Sequence, residues 1–272
     1  MKLIIFILIT FFLVQSFGFR RQKEYCSLLA KCELPFPEAD CPDSLRTGIK
    51  KLDYNEKKCN ESKRLIEKGV PTTNYIGQKL FGFLGQKYRV DYEVIETLPI
   101  NAAQFEYLLS DIPLAAKIVN AFQKTKYMAV YLDGEQKKYW RGNNGKNLTG
   151  EANLIAGGIA EKKLIYFGFG IVKILKWKLK GQVLFDFQYK VEEGKPIAYE
   201  LNVVVFPGGA VVNAIMNMGL FKRVVKGKII DVFTDITESA ADMNKLSVEE
   251  ILNKYKWNKE EVEKLKTLTS LK

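Results

Sequence analysis

Apolar and polar positions alternate most clearly between Tyr88 and Phe206. In YRVDYEVIE, Tyr88, Val90, Tyr92 and Val94 share one face while Arg89, Asp91 and Glu93 share the other, the period of a half-buried strand. Further strands are predicted at KYMAVYLD (126–133), KKYWRG (137–142), KLIYFGFG (163–170) and ILKWKLKG (174–181). Asp133-Gly134 is a hairpin signal, and the Gly- and Asn-rich stretch from Gly142 to Gly150 reads as a loop. In QVLFDFQYK, Val183, Phe185, Phe187 and Tyr189 face one way, and Gln182, Asp186 and Gln188 the other. After a turn at Glu192-Glu193-Gly194-Lys195, PIAYELNVVVF places Ile197, Tyr199, Leu201, Val203 and Val205 on one face. The pattern predicts an antiparallel meander with one apolar face and one wet face, Asp186 lying on the wet one.

Helical spacing flanks this meander. Asn101 can cap a helix carrying Phe105, Leu108, Leu109 and Ile112, which Pro113 divides into two short pieces. After Pro207-Gly208-Gly209, apolar positions at Ala214, Met218, Phe221, Val225, Ile229, Val232, Ile236 and Ala240 predict one long helix over Ala210–Ala240, its stripe turned to the meander. Ser247 with Glu250, and Asn258 with Glu261, have capping-box spacing and predict two short helices in the tail, as a docked brace or a partner-binding element. Nearer the start, Tyr25–Cys32 reads as a short turn-rich piece. A helix is predicted from Asp43 through Lys51, and another from Asn55 to Lys68, stopped by Gly69 and Pro71.

The first residues have another character. Met1-Lys2 precedes the apolar run Leu3–Val14, and Ser16 and Gly18 form a small-residue site, so residues 1–18 read as a signal peptide cleaved after Gly18. The run has 12 residues, short of the ~20 that span a bilayer. The expected product is secreted or periplasmic. In such a compartment Cys26, Cys32, Cys41 and Cys59 read as two disulfides stapling a small helical cap over 19–80, with three pairings open. The meander with its helices then occupies 81–241, and the tail 242–272.

Composition narrows the chemistry. The chain has no histidine, which removes the commonest general base and the commonest zinc ligand, and its cysteines lack metal-like spacing. No metal and no cofactor is expected: Gly168-Phe169-Gly170 lacks the third glycine of a dinucleotide loop, and no Walker-type loop occurs. The net charge is +11. No nucleic-acid motif accompanies it. Lys176, Lys178 and Lys180, with Lys222, Arg223, Lys226 and Lys228, could meet an anionic membrane surface or form an ordinary solvated face.

The order strand, helix pair, antiparallel meander, long final helix resembles the START-like superfamily, which includes polyketide cyclases (the SRPBCC group). The likeness is carried by RVDYEVIETLPINAAQFEYLLSDIP and YELNVVVFPGGAVVNAIMNMGLFKRVVKGKIIDVFTDI and covers about residues 88–240. It implies an α+β helix-grip fold, a curved antiparallel sheet wrapped around a long C-terminal helix. It also implies a cavity lined by Tyr92, Tyr131, Phe185, Phe187, Tyr199 and Met218, suited to a lipid or another apolar small molecule. Aromatics at period two also build filled cores. The resemblance leaves room for a cyclase- or hydrolase-type enzyme using the same cavity, and for a non-catalytic protein-interaction module.

Overall fold

Among the described residues, asparagines open four of the helices, each by accepting a backbone N–H in the first turn. The computed structural model describes residues 22–34, 41, 55–123, 125–174 and 177–271. The expected signal peptide (1–18) and the helix expected over 43–51 lie outside them. Two units are distinguished, Met1–Lys87 and Tyr88–Lys272.

In the first unit, residues 22–31 form α1. This corrects the turn-rich reading of Tyr25–Cys32: the segment lacks Gly and Pro, and its helical form buries Tyr25, Cys26 and Leu29 together. α2 (Glu56–Glu67) starts at Asn55, whose Oδ1 accepts from the Lys58 N–H at 3.0 Å. α3 (Tyr75–Leu84) starts at Asn74, whose Oδ1 accepts from the Gly77 N–H at 2.7 Å. Lys58 Nζ donates to the carbonyls of Gly85 (3.2 Å) and Gln86 (2.7 Å), placing a cation at the C-terminal end of α3. The disulfides are Cys26–Cys41 and Cys32–Cys59, with Cα separations of 5.5 and 5.0 Å. Bridges of this kind belong to an oxidising compartment. Among the described residues, no helix is long and apolar enough to cross a membrane.

The second unit begins with β1 (Val90–Leu98), α4 (Ala102–Ser110) and α5 (Ile112–Gln123). Asn101 Oδ1 accepts from Ala103 N at 2.8 Å to start α4. Asp111 Oδ1 accepts from Leu114 N at 3.1 Å, so the chain restarts as α5 with Pro113 in its first turn. Six strands follow: β2 (Met128–Tyr131), β3 (Tyr139–Asn143), β4 (Leu148–Gly158), β5 (Lys163–Ile174), β6 (Trp177–Lys190) and β7 (Ile197–Pro207). The last helices are α6 (Ala210–Asn217), α7 (Gly219–Met243), α8 (Val248–Lys254) and α9 (Lys259–Ser270). The sheet order is β1-β7-β6-β5-β4-β3-β2, with every pair antiparallel. The sheet curves, and α7 packs on its concave face through Val225, Ile229 and Phe233. This is the α+β helix-grip architecture.

Four local readings change. The Gly–Asn loop is a tight turn, Asn144 Oδ1 accepting from the N–H groups of Lys146, Asn147 and Leu148, and it opens the unpredicted strand β4. The two strands expected at 174–181 and 182–190 are one strand of 14 residues running through Gly181. The long helix expected over Ala210–Ala240 breaks at Met218, where the backbone is extended (φ −63°, ψ 135°). The face expected to be wet is largely buried: Ile165, Phe167, Leu184 and Phe206 are inaccessible, and Asp186 is only 1% exposed. Alternation reports which residues share a face, not whether that face is covered.

Register explains the curvature. Gly142 pairs with Gly150, Gly150 with Gly170, Gly170 with Gly181, and Gly181 with Pro207. Four glycines thus lie in one row across β3–β6. Two residue pairs along, Gly168 pairs with Ala152, and a Cβ on Gly168 would stand 1.8 Å from the Glu151 carbonyl oxygen. Strands approach this closely only where side chains are missing, and glycines in such a row let a sheet curve.

The tail is packed into this unit. Ile251, Leu265 and Leu268 are fully buried in its core. Both capping boxes form, at Ser247/Glu250 and Asn258/Glu261. Gln104, also fully buried, donates from Nε2 to Asn244 Oδ1 (2.8 Å) and to the Leu268 carbonyl (3.3 Å), and its Oε1 accepts from Asn244 Nδ2 at 2.9 Å. Gln104→Leu deprives buried groups of these bonds and is expected to cost about 1–3 kcal/mol. Hydrogen exchange should then speed up in α9; unchanged protection of 259–270 would remove Gln104 as the clamp.

Candidate functional site

The concave face is best described by its cross-strand rows. The row next to the glycines reads Tyr131, Trp140, Ala152, Gly168, Val183, Val205, Val90 from β2 to β1. The following row reads Leu154, Tyr166, Phe185, Val203, Tyr92, and the one beyond it Leu164, Phe187, Leu201, Val94. None of these positions carries a carboxylate, a cation or an imidazole.

The two ends of this face differ in packing. Toward α4, Phe187 and Tyr199 are buried under Phe233 of α7, with ring centroids 5.5 and 5.1 Å away and near-parallel planes. Phe105 closes the cluster against Tyr189 at 5.4 Å, edge to face. That end is filled by the protein's own side chains. Toward β2–β5, Tyr131, Trp140, Leu154, Tyr166 and Phe185 remain only partly buried, as do Phe221, Ile229 and Ile230 of α7. The indole of Trp140 meets the ring of Tyr166 edge-on, with centroids 6.2 Å apart, and reaches over Gly142, where a Cβ would come within 3.0 Å of it.

Polar atoms here are few. Tyr131 donates its hydroxyl hydrogen to the Ser110 carbonyl (3.3 Å), and its oxygen accepts from the Ile112 N–H (3.1 Å), which fixes that ring to the α4–α5 junction. Trp140 Nε1 and the Tyr92 hydroxyl are buried without a hydrogen-bond partner among the described residues. Burial pushes the Tyr92 hydroxyl up to about 12. It also raises Tyr131 and Tyr166, the latter helped by the neighbouring Tyr131. All three therefore stay neutral donors at ordinary pH.

Of the six residues expected to line a cavity, Tyr92, Tyr131 and Phe185 lie in the two rows nearest the glycines. Phe187 and Tyr199 belong to the filled end. Met218 sits at the helix break, 56% exposed. Sequence reasoning passed over Trp140 and Tyr166. Both are aromatics in recognised strands, but only the register brings them together. Among the described residues no group of three or more acidic or cysteine side chains is arranged to hold a metal ion.

No family model matches this chain, and no curated protein does. Solved structures do match. Ara h 8.0201 aligns with a TM-score of 0.41 and 16% identity, over 55% of this chain and 96% of its own. The ginseng major latex-like protein 151 from Panax ginseng aligns with a TM-score of 0.39 and 10% identity, over 56% of this chain and 95% of its own.

Proposed function

We propose that the protein is an exported carrier that holds an apolar, partly aromatic small molecule or lipid between the β2–β5 half of the sheet and α7. The observation that carries this reading is the contrast within one concave face. One end is closed by Phe233, while the other presents half-buried aromatic rings and a buried indole N–H that has no acceptor among the described residues. Large rings supply contact area, and an unsatisfied donor favours a ligand with a carbonyl, ether or hydroxyl oxygen. The rows carry no carboxylate, cation or imidazole and their tyrosines stay neutral, which favours binding over acid–base catalysis.

Residues 19–272 purified from an exporting host should carry an extractable organic molecule, visible by mass spectrometry. After delipidation the protein should bind prodan, a fluorescent naphthyl ketone. Trp140→Phe keeps the ring and removes the donor. It should weaken the ketone roughly fivefold, about 1 kcal/mol, and leave a naphthalene hydrocarbon unaffected. An empty protein that binds neither probe would overturn the proposal.

A further inference from the structure

The β5–β6 hairpin and the α6–α7 pair leave the sheet at the same end, because Gly181 pairs with Pro207, three residues before α6 begins. Both are basic. No acidic residue occurs between Lys162 and Phe185, or between Leu201 and Ile230. Lys173 pairs directly with Lys178, a like-charge cross-strand contact that costs stability, and Lys173, Lys178 and Lys180 are all exposed. Among the described residues no carboxylate forms an ion pair with Lys222, Arg223 or Lys226.

Large apolar side chains point to solvent at this same end. Val211 is 71% exposed, Met218 56% and Leu220 70%. They flank the break between α6 and α7, where residues 217–220 are all exposed, and the three unpaired cations follow within two turns. Apolar tips ahead of a ring of cations are the arrangement of an interfacial element: the tips enter the acyl boundary while the cations meet phosphate oxygens.

We propose that the α6–α7 break and the adjoining lysine hairpin dock this protein on an anionic phospholipid bilayer. Docking relieves the Lys173–Lys178 repulsion and removes Val211, Met218 and Leu220 from water. It holds whether or not the concave face carries a ligand.

The test is co-sedimentation of residues 19–272 with phosphatidylcholine vesicles, with and without phosphatidylglycerol. Pelleting is expected with the anionic vesicles alone and should fade as salt rises. The triple variant Lys222→Glu, Arg223→Glu, Lys226→Glu should lose roughly a hundredfold in apparent affinity. Leu220→Ser alters one exposed side chain and should lose roughly tenfold with circular dichroism unchanged. Prodan binding by both variants should match the parent, which separates failed docking from a failed carrier. Absence of pelleting, equal pelleting with neutral vesicles, or undiminished binding by a folded variant would each overturn the proposal.

Discussion

Reduction of the two disulfides should unfold the segment before Tyr88 and leave the β-sheet standing. Cys26–Cys41 spans 15 residues and Cys32–Cys59 spans 27. On loop-entropy grounds each contributes about 3–3.5 kcal/mol. The described helices they tie are short, residues 22–31 in α1 and 12 residues in α2, and helices of that length are marginal in water by themselves. Limited proteolysis with and without dithiothreitol reads the effect. Reduction should create cleavage sites within residues 22–87, while residues 88–271 persist as a protected fragment. The same loss is expected for Cys32→Ala with Cys59→Ala. Identical cleavage of the reduced and oxidised forms would show that the bridges add nothing to a segment that is stable without them.

Replacing Gly168 should cost more than any other single change at a glycine in the sheet. A Cβ there would meet the Glu151 carbonyl oxygen at 1.8 Å and the Ala152 Cα at 2.7 Å, both backbone atoms that no rotamer change can move. Gly168→Ala is expected to destabilise by about 3 kcal/mol or more, lowering Tm by roughly 6–12 °C. Gly208→Ala is the matched control, since nothing lies within 4 Å of its Cβ position and its φ is unexceptional. Equal melting temperatures for the two variants would mean that β4 and β5 do not approach as closely as described.

These residues also show what could be read in advance. β1 and β7 were legible because their inward positions alternate without interruption from Val90 to Val94 and from Ile197 to Val205. β4 was not, because Gly150, Gly157 and Gly158 have little intrinsic preference for a strand; the strand forms because β3 and β5 supply both its partners. Gly181 looks like punctuation in the sequence and sits mid-strand in the structure, where the sheet needs a residue without a side chain. The break at Met218 was hidden because apolar spacing runs straight through it. For the candidate site, Tyr92, Tyr131 and Phe185 were found by alternation alone. Trp140 and Tyr166 needed cross-strand pairing, which sequence periodicity does not encode.

The chemistry of the concave rows has a consequence for how cargo would be discharged. Its hydroxyls do not ionise in the range that separates one cellular compartment from another, and no imidazole or carboxylate stands among them. Acidification in that range leaves the charge of these three rows unchanged. Loading and unloading would follow the chemical potential of the cargo, with delivery to whichever reservoir dissolves it better.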